Sequence, residues 1–509
     1  MDFISSWYGF SDRILLNRFL FLHLFYFLFL PYLCRFAFNK RVCHFGEKGF
    51  LLDALSELLY EMNNSRLGKY QPHYKPNLIL ALPVMLAQAG QMIVVLADNL
   101  MVGQLGTVPL AAASFANTVF VVGMVFGIGM VNGLTPLVGK AYGGGNRQLA
   151  ASWFKQSLYA FQLAGLILAL LLWGVSYLMP YMGQPPAVVD AALPYYRVLV
   201  VSMIPFVLFF TFKQFAEGLG NTRIAMVITV SANALNIFLN YLWIFGKMGF
   251  PAYGLMGAGY ATLTARLIMP LLFIWGYYQF DFFRYYRKHI GETKFSWTKS
   301  LHLMWLGLPI GGQHFVEVLS FSLGSIMMGW LGAAALAAHQ IVLSLASFTF
   351  MVAQGIAAAT TVKVSQFVGQ GRPSALRSTT FASLHLVLIF MGTGAILFVL
   401  FNELIPSLFI DSSEVILIAS GLMIVAAAFQ LFDGLQVTML GALRGLEDVN
   451  LPFGMLLVAY FVLALPVGWL LSFHWNLGPQ GIWFGYLIGL SSISIFLLLR
   501  FRWLTKEKN

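Results

Sequence analysis

The residues best placed to do chemistry are acidic and amide side chains lying inside long apolar runs. Glu317 sits near the middle of one such run, LHLMWLGLPIGGQHFVEVLSFSLGSIMMGWLG, from Leu301 to Gly332. On a helix, Gln313, Glu317, Ser320 and Gly324 form a single stripe. Asp433 lies mid-run in a second stretch, with Phe429 and Gln436 on its side. Asp98 comes late in a third, on a stripe with Gln88 and Gln91, and Asn233, Asn236 and Asn240 share one face of a fourth. A carboxylate at bilayer depth costs about 2.5–3.5 kcal/mol on insertion scales, so these acids must face protein or water rather than lipid. A small hard cation such as sodium needs oxygen ligands, which carboxylates and Asn carbonyls supply. A proton needs only a carboxylate able to hold it. Interhelical hydrogen bonding alone would account equally well for the asparagines. Arg266, mid-run in a fifth stretch, either pairs with a carboxylate such as Asp98 or snorkels into an aqueous cavity.

Composition says what surrounds these residues. Hydrophobic residues make up 59% of the 509, charged residues only 10%, and mean hydropathy is +0.78, too apolar to cover a soluble surface. The chain belongs in a lipid bilayer. Its net charge of +11 would suggest nucleic acid in a soluble protein. Here the basic residues fall in short segments between apolar runs, where they set membrane topology, so no nucleic-acid partner is implied. Cys34 and Cys43 are the only cysteines, which excludes a disulfide framework or thiolate metal site in the main body. His314 and His339 lack metal-ligand spacing, TPLVGKAY departs from a phosphate-binding loop, and no nucleophile–base arrangement stands out. The chain reads as a non-enzyme without a cofactor.

Twelve helices are needed to position the polar stripes. They are predicted at 77–102, 109–139, 152–179, 193–214, 222–246 and 254–278, then 301–330, 334–365, 378–403, 417–441, 453–474 and 481–503. Glycine and proline clusters such as GGGN at 143–146 and GQGRP at 369–373 separate them. Nearly all the basic residues, Lys213 and Arg444 counted among them, fall on one side of this arrangement, against Arg197 and Lys247 on the other. That asymmetry places both ends of the twelve-helix body in the cytoplasm. The halves repeat. LALPV at 80–84 recurs as LGLPI at 306–310, and the same shift of 226 carries Gly103 onto Gly329, Thr135 onto Thr361 and Gly143 onto Gly369. Six spans per half make the repeats parallel, related by a pseudo-twofold axis along the membrane normal. The domain reading is a first lobe over 62–285, a cytoplasmic linker over 286–300, and a second lobe with a basic tail over 301–509. Residues 1–61, with the aromatic run ILLNRFLFLHLFYFLFLPYLC, lie outside the repeat and are expected to be dispensable; an extra span is the alternative.

ADNLMVGQLG (97–106), TPLVGKAYGGG (135–145), NALNIFLNY (233–241), the Glu317 stretch and FQLFDGLQVTMLGALRGLED (429–448) together carry a family resemblance. The chain resembles the multidrug and toxic compound extrusion (MATE) family, most closely its NorM-like bacterial branch. The resemblance implies a two-lobed antiporter in a bacterial inner (plasma) membrane, working as a monomer and exporting lipophilic organic cations in exchange for inward sodium ions or protons. It maps Glu317 and Asp433 onto a second-lobe cation site, with sodium as a candidate ion, and Asp98, Asn236 and Asn240 onto a first-lobe acidic site. Phe429 stands where some NorM-like members carry a Tyr, which removes one potential ligand. Gln91, Asn233, Arg266 and Gln313 remain as accessory polar candidates. A flippase or exporter of an amphipathic or lipid-linked metabolite is the alternative, and it would favour a basic rather than an acidic cavity.

Overall fold

The computed structural model describes residues 68–506, so the expectation for residues 1–61 lies outside the described residues. All of its described secondary structure is helical. The first six spans are α1 (Gln71–Gly103), α2 (Thr107–Gly143), α3 (Arg147–Val175), α4 (Pro186–Gly218), α5 (Thr222–Phe245) and α6 (Leu255–Gln279). The second six are α7 (Trp297–Trp330), α8 (Ala333–Gly369), α9 (Pro373–Leu400), α10 (Ser413–Gly445), α11 (Asn450–His474) and α12 (Pro479–Leu504). Eleven of these are long and apolar enough to cross a bilayer on composition alone. The twelfth is α7, which is 34 residues long but is diluted at its centre by Gln313, His314 and Glu317. A helix that gives up lipid affinity there must be sheltered by its neighbours.

The helices extend beyond the predicted bounds mainly at their polar ends, where caps hold them. Asn146 accepts from the Leu149 amide at 2.9 Å, Asn221 caps α5, and Ser296 starts α7 inside the expected linker. Breaks within α2 at Asn132–Gly133 and within α4 at Ser202 bend those spans without ending them. The duplication is visible in the backbone. Gly106 and Gly332, related by the sequence repeat, take φ values of +118° and +120° in the turns after α1 and α7, conformations open only to glycine. Thr135 and Thr361 likewise donate to the backbone carbonyls of Gln214 and Gly441, at 3.4 and 2.8 Å.

Two hydrophobic cores define the lobes, but they exchange helix halves. Tyr74, Leu80 and Ala81 of α1 pack in the core of the second lobe. Leu303, Leu306 and Ile310 of α7 pack in the first. Glycines make this crossing tight: a Cβ at Gly307 would lie 3.2 Å from the Met130 side chain, and one at Gly311 would lie 2.7 Å from the Phe126 carbonyl. Asn77 on α1 secures the exchange, donating to the Thr379 carbonyl and Ser383 Oγ of α9 at 3.1 and 2.9 Å. Between the lobes, a short helix at Arg284–Glu292 and the strap after it dock on α3, where Lys155 Nζ donates to the Ile290 and Thr293 carbonyls.

The lobes meet on the face that carries the basic loops. Gln366 of α8 donates to the Gly218 carbonyl at 3.3 Å, and the ends of α2 and α8 approach backbone to backbone through Gly143 and Gly369. Lys140, three residues before Gly143, pairs with Glu447 at 2.8 Å, with His302 3.8 Å from the same carboxylate. Toward the opposite face the lobes part, leaving the cavity described next.

Candidate functional site

A cavity of about 780 Å³ separates the lobes, in the size range of small-molecule sites. Its mouth is marked by Ser322 and Ile326 of α7 and Gln340 of α8, all exposed. Its second-lobe wall carries Glu317, Phe429 and Asp433, and its first-lobe wall Gln88 and Gln91. The structure therefore brings together the second-lobe residues singled out from sequence and adds Gln91 opposite them. Asp433 is 4% exposed and takes no hydrogen bond or ion pair from any described residue. Glu317 makes no hydrogen bond: His314 Nδ1 lies 3.9 Å away, too long for one, and the Arg444 guanidinium at the base of the cavity acts on it only through space. Both carboxylates are thus left free to bind something from the cavity. Phe429 packs edge-on against Trp483, ring centroids 5.3 Å apart, and offers the site only carbon.

Gln313 has a different job from its stripe neighbour Glu317. It is 2% exposed, its amide nitrogen donates to the Val449 carbonyl at 3.2 Å, and its oxygen accepts from Arg444 Nε and Nη2 at 3.2 and 2.9 Å. It anchors the Arg444 guanidinium at the base of the cavity.

The first-lobe candidates gather in a separate cluster between α1 and α5. Asn240 donates to Asp98 Oδ1 and, at 3.3 Å, to Asn236 Oδ1. Gly90 on α1 admits the Asn233 amide, which a Cβ there would meet at 3.1 Å. Tyr195 of α4 accepts from Asn117 at 3.5 Å and lies within electrostatic reach of Asp98 and Arg266. None of Asp98, Asn233, Asn236, Asn240 or Arg266 lines the cavity between the lobes. Arg266 does not pair directly with Asp98. Its guanidinium donates to Ser202 Oγ at 2.8 Å and lies over the rings of Phe206 and Phe120, 4.5 and 5.1 Å from their centroids. Desolvated cation–π contacts of this kind are worth about 2 kcal/mol. They hold the guanidinium without a direct ion pair, while Asp98, one of the two alternatives read from the sequence, stays within electrostatic reach.

Sequence reasoning missed the base of the cavity. Lys213 and Arg444 look like cations flanking loops, yet each is 8% exposed and lines the cavity. Lys213 Nζ lies 3.7 Å from Glu217 and 4.7 Å from the Phe210 centroid. Asn132, Thr135 and Gln214 join them, Gln214 donating to Asn132 at 2.7 Å and accepting from Thr135 at 2.6 Å. One signal was available. With the shift lengthened by one residue to 227, AEGLG at 216–220 aligns with LRGLE at 443–447, which makes Arg444 the repeat counterpart of Glu217.

The two-lobed bundle with its inter-lobe cavity matches a known family. The MatE family model matches residues 83–242 and 309–470, one segment in each half. This chain belongs to the MatE family. Its relatives include "Probable multidrug resistance protein NorM" of Rhizobium meliloti (strain 1021), 32% identical over 464 residues, which cover 89% of this chain and 97% of that protein. Another is "Multidrug resistance protein MdtK" of Yersinia enterocolitica, 32% identical over 446 residues, covering 87% and 98%. Among solved structures, the eukaryotic MATE transporter AtDTX14 superposes with a TM-score of 0.76 at 18% identity, covering 85% of this chain and 96% of that one. The Vibrio cholerae MATE transporter VcmN in the bent form gives 0.75 at 19%, covering 86% and 98%. These superpositions establish the MatE fold for this chain, and its membership makes it a membrane transporter.

Proposed function

We propose that this MatE transporter exports lipophilic organic cations by antiport, taking up sodium ions or protons as its two lobes alternate in opening. One observation carries the reading: Glu317 and Asp433 line an inter-lobe cavity without a strong protein partner, in a chain whose opposite face is closed. A cation held there and a drug in the same cavity can favour different lobe arrangements, which coupling requires. The relatives named for multidrug resistance support the substrate class, and the basic loops support a bacterial plasma-membrane protein with both ends of the twelve-helix body cytoplasmic. The test is drug movement in proteoliposomes under sodium and proton gradients imposed separately. Export driven by either gradient is the expected result, and export indifferent to both would overturn the reading.

Lys213 and Arg444 on the cavity wall lend some weight to a second reading, transport of an anionic amphipathic or lipid-linked metabolite. Glu217 and Gln313 already engage both cations, which is why the acidic reading is preferred. The assay separates the two when an anionic amphiphile replaces the drug.

The first-lobe cluster takes a supporting role in this scheme. Asn at position 98 keeps an oxygen to accept from Asn240 and removes only the charge. Asp98→Asn is expected to lower export roughly tenfold, the effect of about 1.4 kcal/mol. Cation binding at the second-lobe carboxylates should be unchanged, as a sodium titration of the purified protein would show.

A further inference from the structure

Behind the cavity wall, the second lobe holds buried polar groups that no described residue satisfies in full. Gln436 of α10 is 1% exposed, and Tyr460 of α11 and Ser320 of α7 are fully buried. Among the described residues, both amide atoms of Gln436, the Tyr460 hydroxyl and Ser320 Oγ have no partner in full hydrogen-bond geometry, the Gln436 amide coming only loosely within reach of the phenol. Folded proteins pair nearly all such atoms with protein, bound solvent or an ion. Here they come from three helices and lie beside two acids. The Tyr460 phenol interacts electrostatically with both Glu317 and Asp433, and the Gln436 amide is its neighbour. Ser320 belongs to the Glu317 stripe of α7, and Gln436 shares the Phe429 and Asp433 face of α10.

The backbone is built to bring the phenol there. Over Val458–Ala464, α11 widens into a π-helical turn that contains Tyr460, an irregularity often found at functional sites. Gly489 of α12 makes room for it: a Cβ there would lie 2.8 Å from the Ala459 carbonyl. Phe429, on the cavity side of the same acids, brings no oxygen.

We propose that Tyr460 and Gln436 are the inner ligands of the coupling site, completing with Glu317 and Asp433 an oxygen cage for a small metal cation. This rests on the antiport reading above and narrows it to sodium. A proton requires a single base, whereas a hard metal ion gathers several oxygens and gains from each neutral one.

The test measures the sodium concentration giving half-maximal drug export in proteoliposomes, for wild type, Tyr460→Phe, Gln436→Leu and the double variant Tyr460→Phe/Phe429→Tyr. Either single variant should raise that concentration about tenfold, with drug binding in the absence of sodium unchanged. The added Phe429→Tyr hydroxyl should recover part of the loss from the cavity side. Should Tyr460→Phe fail to fold, Gln436→Leu and Phe429→Tyr alone still decide, the latter being expected to lower the half-maximal concentration. Sodium dependence within twofold of wild type in both folded single variants overturns the assignment. Wild-type export driven by protons and indifferent to sodium overturns it too, while leaving antiport standing. Wild-type export indifferent to both gradients overturns antiport itself.

Discussion

Proteoliposomes carrying Glu317→Gln or Asp433→Asn should be unable to build a drug gradient, although the protein inserts and folds. One inward cation gains about 2.3 kcal/mol per 100 mV, and each 1.4 kcal/mol is tenfold in a concentration ratio. Wild type at 100 mV should therefore sustain a drug ratio of about 50-fold for each net charge moved. Each variant should relax to a ratio near one. Folding should survive, because neither carboxylate holds its surroundings by a hydrogen bond: Asp433 has no hydrogen-bonded partner among the described residues, and Glu317 has His314 at 3.9 Å and the Arg444 guanidinium through space, which Gln313 holds in any case. Lys213 and Glu217 differ in this respect. Removing one member of that buried pair leaves the other charge uncompensated, at a typical cost of about 3–5 kcal/mol. The measurement is the steady-state drug ratio under a clamped potential, with melting of the purified proteins as the control. A variant that melts like wild type and still holds drug tens of fold out of equilibrium would place the coupling site elsewhere. The Asp98 cluster would be the next place to look.

Much of this arrangement is legible in the sequence because it depends on local spacing. Helical stripes put Glu317, Asp433 and Phe429 on inward faces, and the repeat from LALPV to LGLPI fixes the parallel lobes. What the sequence hides depends on how whole helices tilt and cross. The exchange of α1 and α7 between cores is set by glycine-rich contacts such as Gly311 on Phe126, which no periodicity reports. Tilt also decides how far along one stripe the cavity reaches. Gln91 reaches it, while Asp98, two turns further along the same helix, is turned into a cluster with α5. Lys213 and Arg444 mislead for a simpler reason. A cation near the end of an apolar run looks like a topology signal until it is seen to be buried against the cavity. Arg266 shows that depth alone does not dictate a carboxylate partner, since a hydroxyl and two aromatic faces hold its guanidinium.

The closed basic face gives the second large expected effect. Gly369 ends α8 against the backbone of α2. A Cβ at this position would lie 2.7 Å from the Gly144 amide nitrogen and 2.9 Å from the Lys140 carbonyl carbon. Gly143 is the reciprocal case, its Cβ falling 2.7 Å from Gln366 Cα. These neighbours are main chain and cannot swing aside as a side chain would. Gly369→Leu must therefore separate the lobes at this face, while leaving each lobe's own core untouched. Overpacking costs about 1–3 kcal/mol. Borne by the closed arrangement alone, that lowers its population about 5- to 150-fold relative to the state open on the basic face. Drug export, which needs the closed basic face once per cycle, should fall by a similar factor. Ser365 supplies the structural readout, being fully buried beside Gly139 at the same contact. In a chain lacking Cys34 and Cys43, Ser365→Cys should react slowly with a water-soluble maleimide, and much faster once Gly369→Leu is added. Equal labelling in both backgrounds, with export at the normal rate, would show that the lobes close without this glycine contact. The Lys140–Glu447 pair would then be left to hold the basic face shut.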